Sequence, residues 1–251
     1  MEDENSWVFD SLVCFLNGPI WNAPLQNFIE EKSLIFEPNV DDNEEYKKIF
    51  DEFKNLVDFM LGNFMEDIGI TPEQFENACK EGRKYQVSFD HNLFEQIWAA
   101  NDYDMFKRMM AQRNVELQLQ ALELIERKYG ITPQSFIPKT KDENAKEIPV
   151  TIEKTSDLEN DVMHEVDELE LKKRQQYLRA QRDKLVALKK EARKKQLNAE
   201  TTEKPKERPR SAKAAEAVMT GERPNVEPQQ LQIRKTLAER LKSEVVNKEL
   251  K

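Results

Sequence analysis

The aromatic residues of this chain are confined to one half of it. All three Trp, all thirteen Phe and four of the five Tyr lie at or before Phe136, and Tyr177 stands alone beyond. Aromatic side chains supply much of the apolar area that a core buries. One packed domain is therefore expected at 1–136, with little core of its own in residues 137–251. The bulk composition agrees. Of 251 residues, 35% are charged and 38% hydrophobic, too polar a balance for a single core along the whole length.

Charge divides at nearly the same place. Residues 1–131 carry 26 acidic and 12 basic side chains, a net of −14, whereas 132–251 carry 22 acidic and 27 basic, a net of +5. Between Lys172 and Lys213 there are 16 basic and 5 acidic residues. An acidic domain thus precedes a basic tail. Cys14 and Cys79 sit in apolar helical contexts and read as reduced core thiols. The opening MEDENSWVF is acidic and has no apolar core of a secretory signal. No apolar run approaches the roughly 20 residues that cross a bilayer. The expectation is a soluble intracellular protein.

Apolar spacing within 1–136 is helical. Val8, Phe9, Leu12, Val13, Phe15 and Leu16 begin it after Ser6, a candidate cap, and Gly18-Pro19 ends that helix. A second is expected to open at Pro24, with Leu25, Phe28 and Ile29. Tyr46, Ile49, Phe50, Phe53, Val57, Met60, Leu61, Phe64 and Ile68 step by threes and fours and predict a long amphipathic helix; Leu56 and Phe59 add apolar surface off that stripe. In GITPEQF, Gly69 suits a left-handed helix end, while Thr71, Pro72 and Gln74 form a capping box for the next helix. Asp90 is a candidate cap for another, and Asp102 begins the last. Within the last, VELQLQALELI (115–125) alternates like a strand. Its Glu, Gln, Leu and Ala are nevertheless good helix formers, and a lone strand among helices would leave backbone groups unpaired. It is expected to continue the helix from Asp102 to Gly130, with Val115, Leu119 and Leu122 as one packed row and Leu117, Ala121, Leu124 and Ile125 as another. The fold class is all-α: a bundle of five or six helices.

The remainder is expected as a linker at 137–157, a long charged helix at 158–198, a disordered segment at 199–230 with four prolines, and a C-terminal helix at 231–251. Leu171, Leu178, Leu185 and Ala192 recur every seven residues, but the companion seam reads Arg174, Gln181, Leu188. That is a poor coiled-coil core, so a solvated helix and a partner-dependent coil both stay open.

Chemistry finds no foothold. His91 and His164 are far apart and neither adjoins a Cys. There is no glycine-rich phosphate loop and no nucleophile elbow. No catalytic residue, metal ligand or cofactor is expected. The basic stretch Lys172–Lys213 could meet an acidic surface such as tubulin; apart from Tyr177 it lacks the aromatics that stack on bases, which disfavours nucleic acid. Five of eight methionines, Met60, Met65, Met105, Met109 and Met110, lie on the two longest helices of the bundle. Flexible Met side chains line adaptable helix-binding grooves and also fill ordinary cores, and both readings stand at this point.

The stretches NEEYKKIFDEFKNLVDFMLGNF and AANDYDMFKRMMAQRNVELQLQALELI resemble the BART-like domain family, named after the binder of Arf-like protein 2. The tail stretches LELKKRQQYLRAQRDKLVALKKEARKKQ and RKTLAERLKSEVVNK resemble those of its cilium- and flagellum-associated members, in the same order but after a shorter linker. The resemblance implies a non-enzymatic effector of a GTP-bound Arf-like small GTPase, of the Arf-like protein 3 kind. Such a domain holds the GTPase's N-terminal amphipathic helix in a hydrophobic groove. The residues expected to line the groove here are Phe53, Val57, Met60, Leu61, Phe64, Phe106, Met109 and Met110. The resemblance places the protein in the cytoplasm and the cilium or flagellum, with the nucleus as a further compartment. The alternative is a structural axonemal protein that docks through its basic C-terminal helix.

Overall fold

The computed structural model describes residues 6–37, 43–71, 73–75, 77, 91–129, 168–199, 209–221 and 234–239, and no strand occurs among them. Seven helices are delimited among these residues: α1 Ser6–Asn17, α2 Pro19–Lys32, α3 Glu44–Ile68, α4 His91–Ala99, α5 Tyr103–Tyr129, α6 Glu168–Ala199 and α7 Arg210–Thr220. A 3₁₀ turn, Ser33–Ile35, follows α2, and residues 234–239 are also helical. The chain divides into two compact units, Met1–Leu117 with Lys184–Lys251, and Gln118–Asp183.

Local chemistry accounts for the helix ends. Asn43 caps α3 by accepting a hydrogen bond from the Tyr46 amide at 2.9 Å, and Gly69 closes it at φ 68°, a left-handed conformation that glycine adopts without Cβ strain. The capping box forms in full: the Thr71 amide donates to Gln74 Oε1 at 2.9 Å and the Gln74 amide to Thr71 Oγ1 at 3.2 Å. Asp102 accepts from the Met105 amide at 3.0 Å and starts α5, which runs through 115–125 without a break. Asp90, the expected cap of α4, lies outside the described residues.

Four expectations are corrected. The second helix opens at Pro19 rather than Pro24: Gly18 takes the extended N-cap position, and the fixed φ of Pro19 suits the first helical residue, whose amide has no intrahelical acceptor. Cys14 is exposed rather than in the core, because α1 buries the face of Val8, Leu12 and Leu16, and Cys14 lies opposite; Cys79 is outside the described residues. Val115 and Leu119 of the first row on α5 are exposed, as is Leu124 of the second, and within 115–125 the buried apolar residues are Leu117, Ala121 and Ile125. Finally, the segment expected as disordered contains α7, an ordered helix packed on α2 and α3. Alanines give α7 its propensity, and tertiary burial supplies the stability that an isolated helix of this length lacks.

In the first unit, one buried cluster unites α1 to α5 with the tail. Phe36 stacks on Tyr46 with centroids 4.3 Å apart, and Phe106 reaches Phe36, Phe50 and Phe53 at 5.1–5.6 Å. Tyr46 Oη donates to the Ile35 carbonyl at 2.7 Å, which ties the 3₁₀ turn to α3. Leu197, Ala214, Ala215, Met219 and Leu237 join the same cluster from the tail. The second unit holds the C-terminal part of α5 and the N-terminal part of α6; Ala121 and Ile125 are buried in it, and Tyr177 is exposed. The expected linker 137–157 lies outside the described residues, as do residues 158–167 of the expected long helix.

Candidate functional site

The site is a seam between two helices that already holds a third. α7 lies along α2 and α3. Its buried residues are Ser211, Ala212, Ala214, Ala215 and Met219, a narrow face on which only Met219 is large. At its N-terminal end, Asp67 of α3 takes up the free amides: Arg210 N donates to Oδ1 at 2.6 Å, Ser211 N to Oδ2 at 2.9 Å, and the Ser211 hydroxyl also donates to Oδ2. A carboxylate there complements the helix dipole as well as the orphan donors. The Arg210 guanidinium adds an ion pair to Glu66. At the other end Gly221 closes α7 at φ 102°. Val218 and Gly221 share a cavity of about 480 Å³ with Pro24, Phe28 and Leu56, rimmed by Lys48, Asp51 and Glu52. The helix therefore runs antiparallel to α3.

All eight residues expected to line a groove lie in the buried cluster: Phe53, Val57, Met60, Phe106 and Met110 at 0%, Leu61 at 1%, Phe64 at 5% and Met109 at 7% exposure. Phe53 meets Phe106 at 5.2 Å and Phe28 at 5.7 Å, and Phe64 stacks on Phe15 at 4.5 Å. The Phe53–Phe106 pair joins α3 to α5, the Phe15–Phe64 stack joins α1 to α3, and the Phe28–Phe53 contact links α3 to α2 at the seam. Met109 borders a small cleft of about 110 Å³ with polar walls, among them Gln26, Gln96 and Arg113. The larger opening is bounded instead by Phe28 and Leu56. Leu56 is one of the apolar residues off the main stripe of α3, and that displacement was the available clue.

The basic tail meets the acidic domain of its own chain. Glu30 of α2, with 1% of its side chain exposed, pairs with Arg193 at 2.7 Å, Lys189 at 3.4 Å and Arg113 at 3.5 Å. Burial alone would raise the Glu30 pKa; the Arg193 hydrogen bond and the charges of Arg193, Lys189 and Arg113 outweigh it and hold the carboxyl below its ordinary value. Lys190 reaches Glu31 at 2.8 Å. Thus Lys189, Lys190, Arg193 and Arg210 of the basic stretch are engaged within the chain. The face of α6 that does this carries Val186, Arg193 and Leu197 rather than the heptad of Leu171, Leu178, Leu185 and Ala192.

Elsewhere on α3, Asp58 lies 3.5 Å from Arg234, with 0% and 5% of their side chains exposed. Neither Asp58 oxygen accepts a hydrogen bond from another described residue. Burial pushes the Asp58 carboxyl up to about 6 despite the opposing charges of Arg234 and Lys54, and burial lowers the Arg234 pKa despite Asp58. Both shifts agree that desolvation exceeds attraction in this pair.

No group of His, Cys, Asp and Glu among the described residues is arranged to hold a metal ion, and no helix among them is long and apolar enough to cross a membrane. What the geometry offers is an apolar seat for a helix.

Comparison with known proteins gives that seat a context. Residues 4–119 match the family model described as the ARF-like 2 binding protein BART. The chain is also 34% identical over 120 residues to cilia- and flagella-associated protein 36 of Caenorhabditis elegans. That match covers 47% of this chain and 18% of the relative, so the chain spans less than two thirds of the relative's length. The description of the family model names a binding protein. Residues 4–119 of this chain are thus similar to that family, and no strand occurs among the described residues of that stretch.

Proposed function

We propose that this chain is a non-enzymatic effector that binds an Arf-like small GTPase in its GTP form, of the Arf-like protein 3 kind, with a role at the cilium or flagellum. GTP frees the partner's N-terminal amphipathic helix, and the BART-like domain takes up its apolar face. The observation that carries this reading is the α2–α3 seam itself: a surface of this domain that accepts a helix through apolar contact. The mode is helix-in-groove recognition. Affinity comes from apolar burial at about 25 cal/mol per Å² before the costs of association.

In this reading Phe28 and Leu56 border the seat, and Phe53, Val57, Met60, Leu61, Phe64, Phe106, Met109 and Met110 form the apolar layer that supports it. The family match and the ciliary name of the relative support the partner class and the location. The test is a pull-down with the full chain against GTP- and GDP-loaded Arf-like protein 3. Capture of the GTP form alone is expected, and a Phe28→Glu chain that keeps its helicity should lose it at least tenfold. Equal capture of both nucleotide forms overturns the effector reading. Binding to microtubules alone, lost on deleting 158–251, would instead favour the structural alternative.

A further inference from the structure

We infer that α7 is an intramolecular guest: it keeps the α2–α3 seam closed, and a helix brought by a partner takes the seam only when α7 leaves. The inference rests on the proposed effector function, because it assigns the partner's helix to this same seat.

The way α7 is held suits a removable occupant. It buries one Met, one Ser and three Ala. Small side chains allow close approach but bring little apolar area, so the packing that holds α7 is far weaker than that which holds α3. Its specific anchor is the cluster of Asp67 hydrogen bonds to Arg210 and Ser211 at one end, a contact that one added negative charge would reverse.

The seam is also longer than its occupant. α7 has 11 residues, about 16 Å at 1.5 Å per residue. The α3 wall from Asp67, at the N-terminal end of α7, to Asp51, beside its C-terminal end, is about 24 Å by the same rise. The difference appears as the cavity of about 480 Å³ beyond Val218. An amphipathic helix long enough to span that wall, with Leu or Phe at the positions where α7 has Ala, would fill the space and bury apolar area that α7 leaves uncovered. α7 has the advantage of belonging to the same chain, which makes its docking intramolecular. A guest in trans must overcome that, and its apparent affinity is lowered by the fraction of chains with the seam closed.

The experiment uses the full chain, the Ala215→Glu chain and the Ser211→Glu chain. Ala215→Glu sets a carboxylate on the buried face of α7; Ser211→Glu sets one against Asp67. Neither residue belongs to the walls of the seam. Hydrogen exchange over residues 210–220 reports whether α7 is docked, and calorimetric titration with Arf-like protein 3 bearing a non-hydrolysable GTP analogue reports the affinity. The expected result is slow exchange in the intact chain, fast exchange in both variants, and binding at least tenfold tighter in the variants. Release of α7 with unchanged affinity overturns the inference and leaves the effector reading standing. Fast exchange over 210–220 in the intact chain also overturns it, because α7 would not be holding the seam. Absence of binding by all three chains removes the effector reading and the inference with it.

Discussion

α3 and α7 are both amphipathic helices of one compact unit, and they lie against each other, but they are held in different ways. α3 buries Phe53, Leu56, Val57, Met60, Leu61 and Phe64; α7 buries three alanines, Ser211 and Met219. α3 is bound through large, interlocking side chains whose loss opens cavities. α7 is bound through close approach of small ones and a polar cap from Asp67. The first arrangement makes a permanent wall and the second a detachable cover. A helix-binding domain whose seat is apolar needs both, since an uncovered seam of this kind invites aggregation.

The contrast can be broken, or sharpened, by substitution. The largest effect is expected from Phe53→Ala, which should cost about 3–5 kcal/mol of global stability in urea titration; a loss below about 1 kcal/mol would mean that α3 is not the structural wall. Asp58→Asn comes next. The Asp58 carboxyl is raised from an ordinary value of 3.8 to about 6, so ionising it in the fold costs up to about 3 kcal/mol at neutral pH. The sign follows from linkage: the folded chain holds this proton more tightly than the unfolded one, so stability falls as pH rises from about 4 to about 6 and stays level above. The Asn chain should therefore have the higher Tm at about pH 7.5, with the gap narrowing toward about pH 4; a gap that widens on acidification would contradict this. Met219→Ala should cost about 2 kcal/mol, and hydrogen exchange should locate the loss in residues 210–220 while α3 keeps its protection. Asp67→Ala removes the cap of α7 and should cost about 1 kcal/mol, again confined to that helix; an equal loss across α3 would show that the two helices open as one.

The same contrast explains what the sequence made legible. α3 could be drawn from its letters because large apolar residues at steps of three and four stand out against a charged background. The Thr71–Gln74 box and the Gly69 terminus were equally readable, since their geometry depends only on neighbours in the chain. α7 was not. Alanine carries almost no hydropathic contrast, and Pro205, Pro209, Pro224 and Pro228 around a charged segment read as disorder. What orders α7 is burial on α2 and α3 together with the cap from Asp67, more than 140 residues earlier, and no local pattern announces such partners. For the same reason the face of α6 that meets Glu30 could not be chosen over the heptad of leucines. The eight residues expected to line a groove were recognised as buried apolar surface; periodicity does not distinguish a layer beneath a seat from its open walls. Leu56 and Phe59, lying off the main stripe, were the letters that pointed to a second face, and Leu56 borders the cavity.

Whether α7 is a detachable cover is tested most directly by hydrogen exchange over residues 210–220 in the full chain, measured alone and with Arf-like protein 3 in each nucleotide state. A cover that yields to the partner's helix predicts that the GTP form speeds exchange in that segment, that the GDP form does not, and that α2 and α3 stay protected throughout. Protection of residues 210–220 that persists while the GTP form is bound would contradict it.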